Sequence, residues 1–301
     1  MLEKIGRTGL VVLLLAVIFF TIISLILIFE SEVGMANEIG TQEPFVYDRS
    51  LVPGGVIDDA METAAGLVGA NTEKQQNMAD RLVAAYMQVK DTDVVILFNS
   101  GGWGWNLTEE THGWTTILDG VQGRLSELGY NSLILNYQRT NRGVKPMIKE
   151  FFEAATHYPK KARDLSRQVE FLTENLPEIK IIIAGESTGT VISAVTMDIL
   201  KDSPRVYSIQ TGTPFWHQPE ESDRTLLMNH NGRGIDTFSY GNVPAMVWAT
   251  VKGWFGLTSP DDNPGDILSW LKAPGHHYSW DYPGVSSAVE TFLGDNFPRR
   301  S

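Results

Sequence analysis

One short segment combines a reactive side chain with small residues on both sides. Gly185, Ser187 and Gly189 form the pattern G-x-S-x-G between the apolar run IIIA and a segment with helical periodicity. A sharp turn from strand to helix needs small residues two positions before and after the serine, and it exposes the serine hydroxyl. The pattern predicts that Ser187 is a nucleophile. The alternative is a tight turn that carries an ordinary surface serine.

A serine hydroxyl needs a base before it can act as a nucleophile, and histidine titrates near neutral pH. The sequence contains six histidines, which are His112, His157, His217, His230, His276 and His277. It contains no cysteine, which excludes a thiol nucleophile, disulfides and thiolate metal sites. We therefore expect Ser187 to pair with one of these histidines.

Residues 93 to 297 resemble the α/β-hydrolase family, which includes serine esterases and lipases. The resemblance rests on G-x-S-x-G in its strand–helix setting and on the ending GHHYSWDYPGVSSAVETFL, which is similar to the family's closing Gly-His, proline and helix. In this family the serine comes first along the chain, then the acid, then the histidine. The resemblance therefore implies His276 as the base, with the adjacent His277 as its rival.

The acid of such a triad orients the histidine and stabilises its protonated form. The aspartates between the fourth predicted strand and His276 are Asp223, Asp236, Asp261, Asp262 and Asp266. Asp236 follows a predicted strand, Thr225–Asn229, and the glycine-rich segment NGRGI, which resembles the family's acid loop. Asp236 is therefore our candidate. The Asp261–Asp262 pair is typical of a solvated turn, and we interpret Glu186 as lining the site.

A glycine-rich loop, NSGGWGW, follows the apolar run VVILF. Its position resembles that of the family's H-G-G-G loop, with Asn99 and Ser100 in place of His-Gly. The resemblance implies that the backbone N–H of Gly101 or Gly102, together with that of Thr188, stabilises an oxyanion. The loop lacks both the G-K-[ST] ending of a P-loop and the spacing G-x-G-x-x-G, which argues against a phosphate site.

The elements that position these residues alternate between strand and helix from residue 93 onward. The predicted strands are Val94–Phe98, Ser132–Leu135, Ile181–Ala184 and Val206–Thr211, and the predicted helices are Thr115–Leu128, Ala162–Leu176, Thr190–Leu200 and Val285–Phe292. Such alternation implies a mostly parallel sheet flanked by helices, an α/β fold. Two further helices, Ile57–Val68 and Thr72–Val89, precede the sheet. We interpret residues 56–301 as one hydrolase domain, with an insertion or lid at about 217–265.

Seven tryptophans fall mainly in the loops that we expect to surround the site. They are Trp103, Trp105, Trp216, Trp248, Trp254, Trp270 and Trp280. Binding pockets are mostly apolar, so these side chains could line an acyl or aryl pocket. Ordinary core packing is the alternative for each of them.

The amino terminus carries an uncharged run, Gly9–Phe29, preceded by Lys4 and Arg7 and followed by Glu30 and Glu32. This run is long enough to cross a bilayer as a helix, and the positive-inside rule places the amino terminus in the cytoplasm. We predict a cytoplasmic tail over residues 1–8, a transmembrane anchor over 9–29 and a linker over 30–55. The catalytic domain would then be periplasmic or extracellular. A signal peptide cleaved near Ala36 is the alternative.

The formal net charge of −12 argues against a nucleic-acid partner. No motif for a metal or cofactor is visible, and we expect none to be needed. The sequence thus favours a membrane-anchored serine hydrolase that cleaves a carboxylic ester or thioester of a small or lipid-like molecule through an acyl-enzyme. The alternatives are a non-catalytic, membrane-anchored binding module on the same fold, or a peptidase or lyase. Nothing in the sequence indicates an oligomeric state.

Overall fold

The computed structural model describes residues 38–39, 46–102, 104, 111–139, 149–150, 152–154, 156–257, 265–268 and 271–300. The predicted anchor Gly9–Phe29 lies outside these residues, and the predicted linker is described only in part. Within the described ranges, no helix is both long and apolar enough to cross a membrane.

Six strands of the described chain form one sheet in the order β1-β3-β2-β4-β5-β6. The strands are β1 (Glu38–Ile39), β2 (Val94–Asn99), β3 (Ser132–Gln138), β4 (Lys180–Glu186), β5 (Val206–Thr211) and β6 (Thr225–Met228), and a separate hairpin joins β7 (Asp266–Leu268) to β8 (Leu271–Lys272). The strand pairs β3–β2, β2–β4, β4–β5 and β5–β6 are parallel, and β1 pairs antiparallel with β3. The mostly parallel sheet expected from the alternation of elements is confirmed.

Helices cover both faces of this sheet. They are α1 (Gly54–Val68), α2 (Thr72–Val89), α3 (His112–Glu127), α4 (Pro159–Asn175), α5 (Thr188–Ile199), α6 (Val243–Trp254) and α7 (Pro283–Asn296), and a short 3-10 helix spans Arg49–Leu51. Side chains alternate across a strand, so Val95 and Leu97 of β2 pack toward α1, α2, α4 and α5, whereas Ile96 and Phe98 pack toward α3 and α7. Burial on both faces explains why β2 reads as a continuous apolar run.

The register brings the carboxyl ends of the central strands to one edge. Asn99 at the end of β2 lies opposite Gly185 of β4, and Glu186 lies opposite Thr211 of β5. The loops that follow these strands therefore start next to one another. Ligands of open α/β sheets bind at this edge.

The segment that we interpreted as an insertion contains the predicted strand at Thr225–Asn229 and, in addition, a helix that its sequence pattern does not reveal. It contributes β6 to the main sheet and also forms α6, which Asn242 caps by accepting the Ala245 N–H at 3.3 Å. Met246 of α6 is buried, while Val247 is 53% exposed. Because apolar residues lie on both its buried and its exposed sides, α6 lacks the amphipathic period that would have predicted a helix.

The other predicted strands and helices are present with bounds that differ from the prediction only at their ends, whereas β1, β7, β8 and the 3-10 helix were not predicted. The first helix begins at Gly54, so it includes the end of the segment interpreted as a linker. Strand β1 also falls within that segment and pairs with Gln138 and Tyr137 of β3.

Candidate active site

Ser187 lies at the carboxyl end of β4, at the turn into α5. Its backbone has φ 49° and ψ −121°, which is costly for a residue with a side chain unless its surroundings hold it in place. The Ser187 N–H donates to the Thr211 carbonyl at 2.9 Å, which ties the turn to β5. A Cβ on Gly185 would lie 2.7 Å from a neighbouring hydroxyl, and one on Gly189 would lie 2.2 Å from the Asn99 carbonyl oxygen. The flanking glycines are therefore what allows this strained turn.

His276 reaches Ser187 from the loop between β8 and α7. Its Nε2 lies 3.0 Å from Ser187 Oγ, within hydrogen-bond reach of a base and the hydroxyl it would deprotonate. Gly275 precedes it with φ 83°, and a Cβ at that position would lie 2.3 Å from the Ile235 carbonyl oxygen. Glycine therefore lets the histidine loop pack directly on the loop that carries Asp236.

Asp236 lies after β6 and is fully buried. Its Oδ2 is 2.7 Å from His276 Nδ1. The same oxygen accepts the hydroxyls of Ser239 at 3.0 Å and Tyr278 at 2.9 Å. Its Oδ1 accepts the N–H groups of Phe238 at 2.9 Å and Ser239 at 3.2 Å. These partners fix the carboxyl group in one orientation toward the imidazole.

The same contacts set the charge of Asp236. Burial by itself would raise the pKa of this carboxyl, but the hydrogen bond and charge of His276, with the Ser239 N–H and the Tyr278 hydroxyl, hold the pKa below its ordinary value. Burial, and then Asp236 itself, raise the pKa of Tyr278, which therefore stays a hydrogen-bond donor. An ionised Asp236 selects the imidazole tautomer with the proton on Nδ1, and the Nε2 lone pair then faces Ser187.

The other candidate bases and acids lie elsewhere. His277 Nδ1 is 2.8 Å from the Tyr282 hydroxyl, and His230 Nδ1 accepts the Gly232 N–H at 2.9 Å. Of the alternative acids, Asp223 is exposed, Asp266 begins β7, and Asp261 and Asp262 lie outside the described residues. The structure thus brings Asp236, rather than another described aspartate, to the imidazole of His276.

The glycine-rich loop after β2 packs on the serine turn. A Cβ on Gly101 would lie 3.0 Å from Ser187 Cβ. The Gly101 N–H donates to Glu186 Oε2 at 3.0 Å. Within the described residues, the N–H groups of Gly102 and Thr188 have no hydrogen-bond acceptor. The sequence left Gly101 and Gly102 as alternative donors, and the geometry leaves Gly102, beside Thr188, with its N–H available.

Glu186 lies next to the nucleophile, but it faces the glycine-rich loop. Burial raises the pKa of its carboxyl, although the Gly101 N–H, His276 and Arg139 each act in the opposite direction. The Glu186 carboxyl thus accepts a hydrogen bond from a backbone amide of the loop. The carboxylate that contacts His276 Nδ1 is that of Asp236. Our interpretation of Glu186 as a residue that lines the site stays a prediction.

Aromatic rings lead from His276 toward the surface. The Phe238 ring lies 5.0 Å from that of His276, Trp216 lies 5.4 Å from Phe238, and Phe215 lies 5.1 Å from Trp216, measured between centroids. Phe238 is buried, whereas Trp216 is 40% and Phe215 45% exposed. These three rings form an apolar wall beside the histidine that is accessible from solvent.

The remaining tryptophans are distributed differently from our expectation. Trp248 and Trp254 lie on helix α6 and are largely exposed, so the expectation that they lie in loops is wrong. Trp280 packs against α3, where a Cβ on Gly120 would lie 2.1 Å from its ring. Trp103, Trp105 and Trp270 lie outside the described residues.

A parallel sheet flanked by helices carries the serine turn after β4, the aspartate after β6 and the histidine before the last helix. This is the arrangement that the resemblance to α/β-hydrolases implied. No family model matches the chain, and no curated protein matches it in sequence.

Two solved structures of hydrolases are similar to this chain. A Trichoderma reesei cutinase in complex with a C11Y4 phosphonate inhibitor is 15% identical, with a TM-score of 0.40 over 81% of this chain and 94% of the cutinase. A hydrolase from Oleispira antarctica is 14% identical, with a TM-score of 0.28 over 68% of this chain and 65% of that one.

Three residues that hold this site together were not predicted from the sequence. Tyr278 and Ser239 donate to Asp236, and Arg139 contacts the glycine-rich loop. Ser239 stands three residues after Asp236, a spacing typical of a carboxylate that caps its own turn. Arg139 directly follows the partly buried strand β3, where a charged residue needs a partner.

Proposed function

We propose that this chain is a serine hydrolase that cleaves a carboxylic ester or thioester through an acyl-enzyme on Ser187. The observation that carries the proposal is the continuous hydrogen-bonded line from Asp236 through His276 to Ser187 Oγ, with distances of 2.7 Å and 3.0 Å. In this line an imidazole, oriented by a buried carboxylate, contacts a hydroxyl at the edge of the sheet where ligands of open α/β folds bind, which supports its role as a base.

Acylation follows from this arrangement. Ser187 Oγ attacks the substrate carbonyl carbon while His276 Nε2 takes the hydroxyl proton. The carbonyl oxygen becomes an oxyanion, and the N–H groups of Gly102 and Thr188 stabilise it. Asp236 stabilises the imidazolium that forms. When the tetrahedral adduct collapses, the alcohol or thiol leaves with the proton from His276, and the acyl group remains on Ser187.

Deacylation repeats these steps with water as the nucleophile. His276 takes a proton from water as the water oxygen attacks the acyl carbon. The second adduct releases the carboxylic acid, and His276 returns its proton to Ser187 Oγ. The chain needs no external redox partner or metal for this sequence of steps.

The test is reaction with a fluorophosphonate, which phosphonylates an activated serine and releases fluoride. We expect the wild-type chain to be labelled and to hydrolyse p-nitrophenyl esters, and Ser187→Ala to do neither while keeping its circular dichroism spectrum. Ser287→Ala, on the exposed side of α7, is the matched control and should be labelled like the wild type. A folded wild-type chain that is not labelled would instead favour a binding module.

We also propose that a membrane anchor tethers the enzyme, with its active site on the periplasmic or extracellular side. The uncharged run Gly9–Phe29 and the preceding Lys4 and Arg7 support this placement. The test is to fractionate cells and treat sealed right-side-out vesicles with protease. We expect the chain to stay with membranes through an alkaline wash and to be digested from outside. A soluble chain beginning near Asn37 would indicate cleavage, and protection from protease would reverse the topology.

The apolar wall of Phe215, Trp216 and Phe238 supports an ester whose acyl or alcohol part is apolar. A lipid-like ester combines this chemistry with the proposed position at the membrane. Hydrolysis of p-nitrophenyl esters of increasing acyl length measures this preference. Faster hydrolysis of the acetate than of all longer esters would argue against it.

A further inference from the structure

Arg139 is a buried cation directly after β3. It is 2% exposed, and its Nε donates to Glu150 Oε1 at 2.7 Å. Lys161 also contacts Glu150. Burial would raise the pKa of Glu150, but Arg139 and Lys161 hold it below its ordinary value, so the carboxyl stays ionised. A charge this deep in the fold is costly unless it is paired and its donors are satisfied.

The guanidinium group uses its remaining donors on the two segments that form the proposed oxyanion site. Nη1 donates to Asn99 Oδ1 at 2.9 Å and also to the Ser100 carbonyl. Nη2 donates to the Gly102 carbonyl at 2.9 Å and to Thr188 Oγ1 at 2.8 Å. A guanidinium has five N–H donors in a rigid plane, and these contacts together with Glu150 account for all five.

These contacts determine which way the peptide groups of the loop point. Arg139 holds the Ser100 and Gly102 carbonyls, and the Gly104 N–H donates to the Gly101 carbonyl at 3.1 Å. The Gly102 N–H shares a peptide group with the Gly101 carbonyl, and the Ser100 and Gly102 carbonyls belong to the two neighbouring peptide groups. The contacts therefore fix the orientation of all three peptide groups. Glycine peptides rotate at little steric cost, so a loop without these contacts could turn the Gly102 N–H away from the oxyanion.

Arg139 also connects the two proposed donors to each other. The Thr188 hydroxyl donates to the Gly102 carbonyl at 2.8 Å and accepts from Arg139, which itself donates to that carbonyl. Gly102 and Thr188 are distant in sequence, and this triangle of contacts sets the distance between their backbones. Oxyanion donors act only when they lie about 2.7–3.1 Å from the developing charge.

We propose that Arg139 is a positioning residue that holds the N–H groups of Gly102 and Thr188 in the geometry of an oxyanion hole. The inference rests on the proposed hydrolase function and goes beyond it by assigning a role to a residue outside the triad. Arg139 acts through the loop rather than on substrate, because all five of its donors are used within the chain. A displacement of the donors by about 1 Å is enough to reduce turnover about 100-fold.

The experiment compares Arg139→Lys with Arg205→Lys. Arg205 likewise donates to backbone carbonyls, those of Thr173, Leu176 and Ile179, but it precedes β5 at the opposite edge of the sheet. Arg139→Lys keeps the charge beside Glu150 and loses the planar fork. We expect it to lower kcat for a p-nitrophenyl ester about 100-fold with little change in KM. Arg205→Lys should lower thermal stability and leave kcat unchanged.

A second measurement separates positioning from a purely structural role. Phenylboronic acid accepts the Ser187 oxygen at boron, with the serine proton passing to His276, and gives an anionic tetrahedral adduct. We expect its affinity for folded Arg139→Lys to fall in proportion to kcat/KM. Boronate affinity and kcat equal to the wild-type values would overturn the proposal, as would an activity loss that matches the unfolded fraction alone.

Two further variants cover the case in which Arg139→Lys does not fold. The double variant Arg139→Met/Glu150→Gln removes both buried charges, and Lys161 keeps its contact with Glu153 at 2.6 Å. Thr188→Val removes only the hydroxyl that joins Arg139 to Gly102. Both should lower kcat without raising KM, and unchanged kcat in both would overturn the proposal.

If the wild-type chain itself reacts with neither ester nor fluorophosphonate, the proposed function fails, and this role fails with it.

Discussion

Asp236 Oδ2 and His276 Nδ1 lie 2.7 Å apart, although 40 residues separate them in the chain. The intervening residues leave the sheet, form α6 and the β7–β8 hairpin, and return to the same edge. The loops that carry the two residues also meet at Gly275, whose missing side chain allows that contact. The acid and the base are therefore brought together by the tertiary fold and not by closeness in sequence.

The first prediction concerns that pair. Asp236→Asn replaces a carboxylate with an amide that can donate to Nδ1 and so favours the wrong imidazole tautomer. By analogy with serine proteases, we expect kcat for ester hydrolysis to fall by about 10³- to 10⁴-fold while the fold is kept. Asp223→Asn, at an exposed position, is the control and should keep wild-type kcat. Wild-type kcat in folded Asp236→Asn would remove Asp236 from the mechanism.

The second prediction concerns two glycines with opposite surroundings. A Cβ on Gly189 would lie 2.2 Å from the Asn99 carbonyl oxygen and 2.8 Å from that of Ser100, so Gly189→Ala must displace the glycine-rich loop. We expect it to destabilise the chain by about 1–3 kcal/mol and to lower kcat. A Cβ on Gly123 of α3 meets nothing within 4 Å, so Gly123→Ala should stabilise the helix by about 0.5–1 kcal/mol.

Urea unfolding of both glycine variants measures these effects, and ester hydrolysis accompanies it. Both substitutions add the same methyl group. The opposite signs of the expected changes in unfolding free energy therefore test the local geometry rather than the chemistry of alanine. Equal stability changes in the two variants would show that the contact between the serine turn and the glycine-rich loop is not tight.

The third prediction concerns the apolar wall. Trp216→Ala removes an exposed ring that packs edge-to-face against Phe238 beside His276. We expect KM for a long-chain p-nitrophenyl ester to rise roughly tenfold, equivalent to about 1.4 kcal/mol of lost contact, while acetate hydrolysis changes little. Trp254→Ala, at a more exposed position on α6, is the comparison and should leave both reactions unchanged. An equal effect of Trp216→Ala on both esters would argue against a role in binding the acyl chain.

The fourth prediction concerns stability at acidic pH. His217 lies against His157 with ring centroids 5.2 Å apart, and burial together with the repulsion from His157 lowers the pKa of His217 from 6.5 to about 4. Between these values the unfolded chain binds a proton that the folded chain does not. The contribution of His217 to the free energy of unfolding should therefore be fully present above pH 6.5 and be lost as the pH falls toward 4.

Urea unfolding at several pH values checks this window. His217→Asn should show a weaker dependence of unfolding free energy on pH there, and His157→Asn should weaken it partly because only the repulsion is removed. His230→Asn, on the surface, is the control. A wild-type pH dependence in His217→Asn would mean that other groups cause the acid sensitivity.

The elements that could be predicted from the sequence are those whose residue pattern is visible within a short stretch of chain. β2 and β4 are apolar because helices cover both of their faces, and such runs are visible in the sequence. α6 was not predictable, since its apolar residues are partly exposed and show no period. The tryptophans of that helix were consequently expected in loops.

The sequence by itself determined strands β2 to β6, most of the helices that flank them and the turn at Ser187, because periodicity and the spacing of small residues act over a few positions. Only the tertiary structure decided that the Gly101 N–H meets Glu186 and leaves that of Gly102 available. It alone brought Arg139 to the glycine-rich loop and Tyr278 to Asp236. These contacts depend on where distant loops meet at the edge of the sheet. That is set by strand order, register and the packing of the whole chain, which no short stretch of sequence encodes.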